Sequence, residues 1–288
     1  MELKEAYSFC RKVAHRKGPN FSVGFRFLPR PKRDAVYATY AFCRFVDDVV
    51  DEKVDTDVRE LIDRWERELD DCYAGRPSHP VAVALADTAA RYPIPKSAFR
   101  GLMDGCRMDL VKTRYASFAE LMEYSDLVAT TISTMSLAIF GYGDDAAVER
   151  GRDLATAFQL TNILRDVGED VERGRIYLPQ DELARFGVCE EDLRLKKVTR
   201  GFADLMRFQV QRVREHYDRA EPLLGLIDAD ARRCTRLMGS VYYRVLERIE
   251  GSGYDVFGGR VGLTFAEKIT LVARTCWNGS PAWIHLTP

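Results

Sequence analysis

Two polar stripes set in apolar surroundings carry the chemistry of this sequence. The first lies in YAFCRFVDDVVDE, residues 40–52. On a helix each residue advances about 100°. Tyr40, Arg44, Asp47 and Asp51, spaced 4, 3 and 4, therefore share one face. Asp48 and Glu52 form a second carboxylate pair beside them. The other stripe lies in FQLTNILRDVGEDVERGRIYLP, residues 158–179, where Gln159, Asn162, Asp166 and Asp170 follow at 3, 4 and 4. Phe158, Leu160, Ile163, Leu164 and Val167 surround that stripe.

Like charges four residues apart on a helix repel by a few tenths of a kcal/mol. One such pair alone reads more readily as a solvated face than as a site. Two stripes in one chain, one of them embedded in apolar sequence, are costly unless something satisfies them. Facing each other across a helical bundle, they would make a cage of hard oxygen ligands. That donor set suits Mg²⁺, or the similar Mn²⁺, bridging to phosphate oxygens. Arg44, Arg165, Arg173 and Arg175 stand beside the acids and supply forked donors for a diphosphate.

The elements that must hold these stripes are helices. No convincing alternating run appears, and the one Asn-Gly pair, at 278–279, is near the C-terminus. Periodicity and breakers place helices over 1–16, 30–51, 56–73, 80–92, 96–111 and 117–140. Further helices are expected over 144–171, 181–186, 190–222, 228–250 and 264–277. Ser117 with Glu120 three residues on is a capping-box pattern. No linker or repeat interrupts the chain, so 1–288 reads as one all-α domain, a bundle of about ten helices.

Composition excludes several function classes. The chain has 288 residues, 46% apolar, and a net charge of −1, which gives no long-range pull toward nucleic acid. Seven dispersed Cys without CxxC point to reduced thiols, and four His without HExxH argue against zinc. The charged N-terminus lacks the apolar core of a signal peptide, and no apolar run approaches a membrane span. A cytoplasmic protein is expected.

The motifs DDVVD at 47–51, NILRDVGED at 162–170 and RGRIYLP at 173–179 resemble the squalene/phytoene synthase family, as does GLMDGCRMDL at 101–110. The resemblance extends over nearly the whole chain. It implies an isoprenoid synthase bundle around a central apolar cavity, with two allylic isoprenoid diphosphates as substrates, joined head to head through a cyclopropylcarbinyl diphosphate. Asp47 and Asp51 match the first metal-binding motif; Asn162, Asp166 and Asp170 match the second. Tyr40, Arg44, Gln159, Arg165, Tyr242 and Arg260 fall at diphosphate-binding positions, and Tyr124 at an aromatic near the cavity. Such proteins can use NADPH without a dinucleotide fingerprint, so its need stays open. Greasy substrates imply transient contact with the inner membrane surface.

Two stretches depart from the family pattern. HRKGPNF, with Lys17, Pro19 and Asn20, looks more like the hopanoid branch that makes squalene or hydroxysqualene. Val128 to Ser133 carries Thr130 and Ser133 where glycines are usual. Phe21, Phe25, Phe27, Val36, Phe42, Leu127, Met135 and Leu137 suit an apolar cavity wall, though each also suits plain helix packing. Phe25 would cap a short pocket, which favours two farnesyl diphosphates; Phe25→Ala should then admit longer donors. The alternative is a phytoene synthase joining two geranylgeranyl diphosphates. A class I terpene cyclase, a non-catalytic helical binding protein and a metal phosphohydrolase are the remaining rivals.

Overall fold

The computed structural model describes residues 1–51, 58–277 and 283, without the side chains of 19–21, 49–51 and 277. Helices account for its architecture in chain order. α1 (Leu3–Lys17), α2 (Pro19–Phe25), α3 (Arg30–Asp51), α4 (Val58–Tyr73), α5 (Pro80–Arg91) and α6 (Lys96–Asp109) form the first half. α7 (Phe118–Ser125), a π-helical turn (Asp126–Thr130), α8 (Thr131–Phe140), α9 (Ala146–Arg165) and α10 (Val167–Glu172) follow. α11 (Gln180–Arg185), α12 (Glu190–Arg194), α13 (Arg200–Ala220), α14 (Leu223–Leu226), α15 (Ala229–Gly251) and α16 (Phe265–Trp277) complete the chain. Two isolated bridges, Arg114 to Ile176 and Tyr142 to Ile227, are the β-type pairing among the described residues.

Local chemistry explains most boundaries. Ser117 accepts a hydrogen bond from the Glu120 amide and so caps α7. Gly141, at φ +75°, ends α8 in a conformation that glycine adopts without strain. Thr199 caps α13 through the Phe202 amide.

Three expected helices differ. Residues 117–140 form one rod, but Asp126–Thr130 inserts a π turn into it. The stretch 144–171 is interrupted at Asp166 (φ −98°, ψ 9°), so two helices stand where one was expected. The stretch 190–222 is a short α12, a turn with Lys196 at φ +54°, and then α13. A helix within 18–25, α2, had no expectation behind it; Pro19 at its first position starts it.

One buried core links these helices, with Phe42, Phe99, Tyr115, Phe202 and Tyr217 among its largest fully enclosed side chains. Trp283 packs on this core: its ring fills the space beside Gly239 and its indole nitrogen donates to the Tyr217 carbonyl at 3.0 Å.

Candidate active site

α3 carries the first acidic stripe. Arg44 Nη1 lies 2.9 Å from Asp47 Oδ2, and the same guanidinium also pairs with Asp48. Lys17 Nζ holds the other Asp48 oxygen at 3.1 Å. Asp48 is therefore neutralised from two sides, whereas the Asp47 side chain is 50% exposed. Tyr40 stands one turn before Arg44, its ring edge-on to Phe25 at 6.2 Å. Gly18 lies against the Tyr40 hydroxyl so closely that a β-carbon would collide with it. The side chains of Asp51 and Asn20 lie outside the described residues.

The second stripe straddles the break between α9 and α10. Arg165 meets Asp166 as a fork, Nε to Oδ1 at 2.7 Å and Nη2 to Oδ2 at 2.5 Å. Arg260 reaches the same carboxylate from a distant loop, Nε to Oδ1 at 3.3 Å. Gly168 lies close under the Val256–Phe257 stretch of the chain that leads to Arg260, where a β-carbon would lie 3.1 Å from the Val256 carbonyl. One turn further on, the Asp170 amide donates to the Asp166 carbonyl at 2.8 Å. Burial, then the charge of Asp166, push the Asp170 carboxyl up to about 7 despite Arg173 and Arg175 nearby. Asn162 presents a buried side-chain oxygen with no hydrogen-bond partner. Tyr242 lies beside Arg165 and Asn162 and stacks on Phe158 at 4.4 Å; burial holds its phenol protonated to higher pH than usual.

Parts of both stripes line one cavity of about 430 Å³, whereas Asp166 and Asp170 are not among its lining residues. Arg44 and Asp47 on α3, with Gln159 and Asn162 on α9, line its polar end. Val36 and Gly151, each eleven residues earlier on those helices, line the other end. That separation corresponds to about 16 Å of helix. The wall between them is mainly apolar, with Leu102, Leu137, Leu154 and Met238 contributing.

Several expected wall residues are placed elsewhere. Phe25, Val36 and Leu137 line the cavity. Phe42, two residues from Tyr40 and so about 200° around α3, points away and packs edge-on against Phe99 at 5.1 Å. Met135 is buried behind Cys43, Phe27 packs with the small Leu237–Leu271 cluster, and Leu127 rests against Gly105. The Phe21 side chain lies outside the described residues. Phe25 lies against Tyr37 at 5.8 Å and Tyr40 at 6.2 Å, and Tyr37 adjoins Val36 at the end remote from the acids.

The bulk at 128–133 is absorbed by glycines on facing helices. A β-carbon on Gly105 would lie 2.5 Å from Val128, one on Gly101 2.9 Å from Thr131, and one on Gly151 2.7 Å from the Ser133 hydroxyl. Backbone closeness is kept, with the glycines on α6 and α9 instead of the π turn.

A third polar group escaped the sequence reading. Asp109, at the end of α6, accepts from Tyr124 at 2.7 Å and from Tyr177 at 2.9 Å, and it lines the cavity with Tyr124. Tyr115, Tyr124 and Tyr177 pack ring against ring at 5.4–5.6 Å. Asp109 lies in the segment 101–110 and Tyr177 in 173–179, but nothing local announces a partner 68 residues away.

No cluster of three or more Asp, Glu, His or Cys among the described residues is assembled for a metal ion. The donors nevertheless fit a hard cation. Asn162 has an unsatisfied buried oxygen, burial and Asp166 make a lone charge on Asp170 unfavourable despite Arg173 and Arg175, and the Asp47 side chain, paired with Arg44, is half exposed. Engaging Asp166 would require Arg165 to yield at least one carboxylate oxygen.

Comparison with known proteins agrees with this arrangement. The squalene/phytoene synthase family model matches residues 14–267. A phytoene synthase of Arthrospira platensis is 41% identical over 270 residues, covering 89% of this chain and 87% of the relative. A 15-cis-phytoene synthase of Synechococcus elongatus is 39% identical over 272 residues, covering 90% and 88%. Among solved structures, a dehydrosqualene synthase in complex with ligand superposes with TM-score 0.89 at 28% identity, covering 95% of this chain and 96% of that one. Squalene synthase HpnC of Alicyclobacillus acidocaldarius superposes with TM-score 0.83 at 30% identity, covering 88% and 96%. The relatives matched in sequence are phytoene synthases, which favours the phytoene synthase alternative over the squalene reading. The chain belongs to the squalene/phytoene synthase family.

Proposed function

We propose that this protein joins two geranylgeranyl diphosphates head to head to give the C40 hydrocarbon phytoene. The observation that carries the reading is the 38–41% identity to phytoene synthases across about nine-tenths of the chain. The squalene-type structures are less similar in sequence, at 28–30%.

The residues fit the chemistry that such a reaction needs. Arg44 lines the polar end, Arg165 and Arg260 converge on Asp166 one turn beyond Asn162, and the loop arginines Arg173 and Arg175 lie near Asp170, so positive charge would be at hand for a departing diphosphate. Asp47, Asp51, Asn162, Asp166 and Asp170 would hold Mg²⁺, or Mn²⁺, which neutralises the departing charge when bound. Tyr40, Gln159 and Tyr242 orient the diphosphate, and Asn20 lies in the segment that crosses over Tyr40. The apolar wall, with Phe25 and Tyr124, keeps water from the allylic cation. Losing a proton from the joined C40 cation gives phytoene with no reductant, so NADPH is not consumed in this reading. A product of this kind dissolves only in a bilayer, and transient contact with a membrane surface follows. No helix among the described residues is long and apolar enough to cross one.

The test is incubation of the purified protein with farnesyl and geranylgeranyl diphosphates and Mg²⁺, with and without NADPH, followed by mass analysis. A C40 hydrocarbon formed without NADPH is expected. A C30 product from farnesyl diphosphate, with geranylgeranyl diphosphate untouched, would overturn the reading.

A further inference from the structure

At the cavity end remote from Asp47, three parts of the chain converge on one ammonium group. Lys32 Nζ donates to the Phe140 carbonyl at 2.7 Å and pairs with Asp228 at 3.0 Å and Asp230 at 2.7 Å. The Lys32 side chain is only 15% exposed. It lies one turn before Val36 on α3, while Phe140 ends α8 and Asp228 precedes α15. The strands of chain it joins are also bonded to each other. The Asp228 amide donates to the Gly141 carbonyl at 3.0 Å, and the Gly143 amide to the Leu226 carbonyl at 3.3 Å. Gly141, at φ +75°, faces the Asp228 carboxylate so closely that a β-carbon would collide with it.

This clasp sits directly behind the cavity floor. Val36, Ile139, Phe140, Leu223 and Ile227 line the cavity; Lys32, Asp228 and Asp230 do not. Floor residues on three separate elements are thus fixed to one another by an ion-paired layer that the cavity itself does not touch.

We infer that the Lys32–Asp228–Asp230 clasp sets the length of the prenyl chain that the cavity admits, by holding Phe140 and Ile227 in place as its floor. A floor held only by apolar packing yields by small rotamer and backbone shifts. Here a tail one isoprene unit longer must push Phe140 or Ile227 outward. That movement separates Lys32 from its carboxylates or brings hydrocarbon against the charges, and both are unfavourable. The lysine is a positioning residue acting through Phe140 and Ile227. The inference rests on the geranylgeranyl reading for the identity of the preferred donor, but not for the existence of a length limit.

The test compares C15, C20 and C25 all-trans prenyl diphosphates with Mg²⁺, reading kcat/KM and product mass for wild type and Lys32→Met. Methionine keeps the apolar stem and removes the ammonium. The expected result is a rise of about tenfold or more in the C25-to-C20 ratio, the scale on which pockets discriminate small apolar increments, with C20 turnover largely kept. An unchanged ratio in folded Lys32→Met overturns the inference. Should circular dichroism find Lys32→Met unfolded, Asp230→Asn is read by the same criterion. A wild type that prefers C15 would refute the C20 reading; the clasp is then judged on the C20-to-C15 ratio, where the same relaxation is expected.

Discussion

Arg165 and Asp166 are neighbours in sequence and form a two-point ion pair, at 2.7 and 2.5 Å, where α9 gives way to α10. The arginine thus serves as counterion to a carboxylate that we propose as a metal ligand. Asp166→Asn is expected to lower kcat/KM about 10²–10³-fold, as loss of a preorganised electrostatic contact does. The variant should also lose most of the rise in melting temperature that Mg²⁺ gives wild type. Thermal melting across a Mg²⁺ titration checks this; a full metal-dependent rise in the variant would contradict it.

Asp170 predicts a pH dependence. Its folded-state carboxyl titrates near 7, above the ordinary carboxylate value of 3.8, because burial and Asp166 disfavour the charge. The folded state therefore binds the proton more tightly than the unfolded state. The resulting stability is fully present below about pH 4 and is lost as pH rises toward 7. The slope is at most about 1.4 kcal/mol per pH unit. Urea unfolding without Mg²⁺ should show the decline, Asp170→Asn should flatten it, and Mg²⁺ should reduce it. A wild-type slope that Asp170→Asn leaves unchanged would assign the dependence to other groups.

Gly105 faces Val128 across the α6–π-turn contact, with 2.5 Å available to a β-carbon. Gly105→Ala is expected to destabilise by about 1–3 kcal/mol through overpacking. Adding Val128→Ala should recover part of the loss, giving a non-additive double-mutant cycle. Additive effects would mean that the two residues do not meet.

Phe25 stands close to the floor. It lies edge-on to Tyr37 at 5.8 Å and Tyr40 at 6.2 Å, and Tyr37 adjoins Val36 at the remote end of the cavity. Phe25→Ala is expected to raise the use of C25 donors relative to C20, measured as the ratio of kcat/KM values. A ratio left at the wild-type value would remove Phe25 from the residues that limit chain length.

Much of the site was legible because helical phase is a local property. Spacings of three and four residues placed Tyr40, Arg44 and Asp47 on one face before any partner was known. α3 spans Arg30–Asp51, the expected range. Periodicity was a poorer guide where breaks depend on distant parts of the chain. The helix expected over 144–171 stops at Asp166, where Arg260 arrives from 94 residues away.

By itself, the sequence determined the helical class, the two oxygen-donor stripes and the family motifs, all of which reside within a few turns of chain. Only the tertiary structure decided which apolar residues face the cavity, that Phe25 and Phe140 are among them while Phe42 and Met135 are not, and that Asp109 joins Tyr124 to Tyr177. It also put the glycines that admit Val128 and Ser133 on other helices. The physical reason is that a side chain's direction follows from its own helix, whereas its partner follows from packing between helices far apart in sequence. Lys32 and Asp228, 196 residues apart and 3.0 Å from each other, are the clearest case.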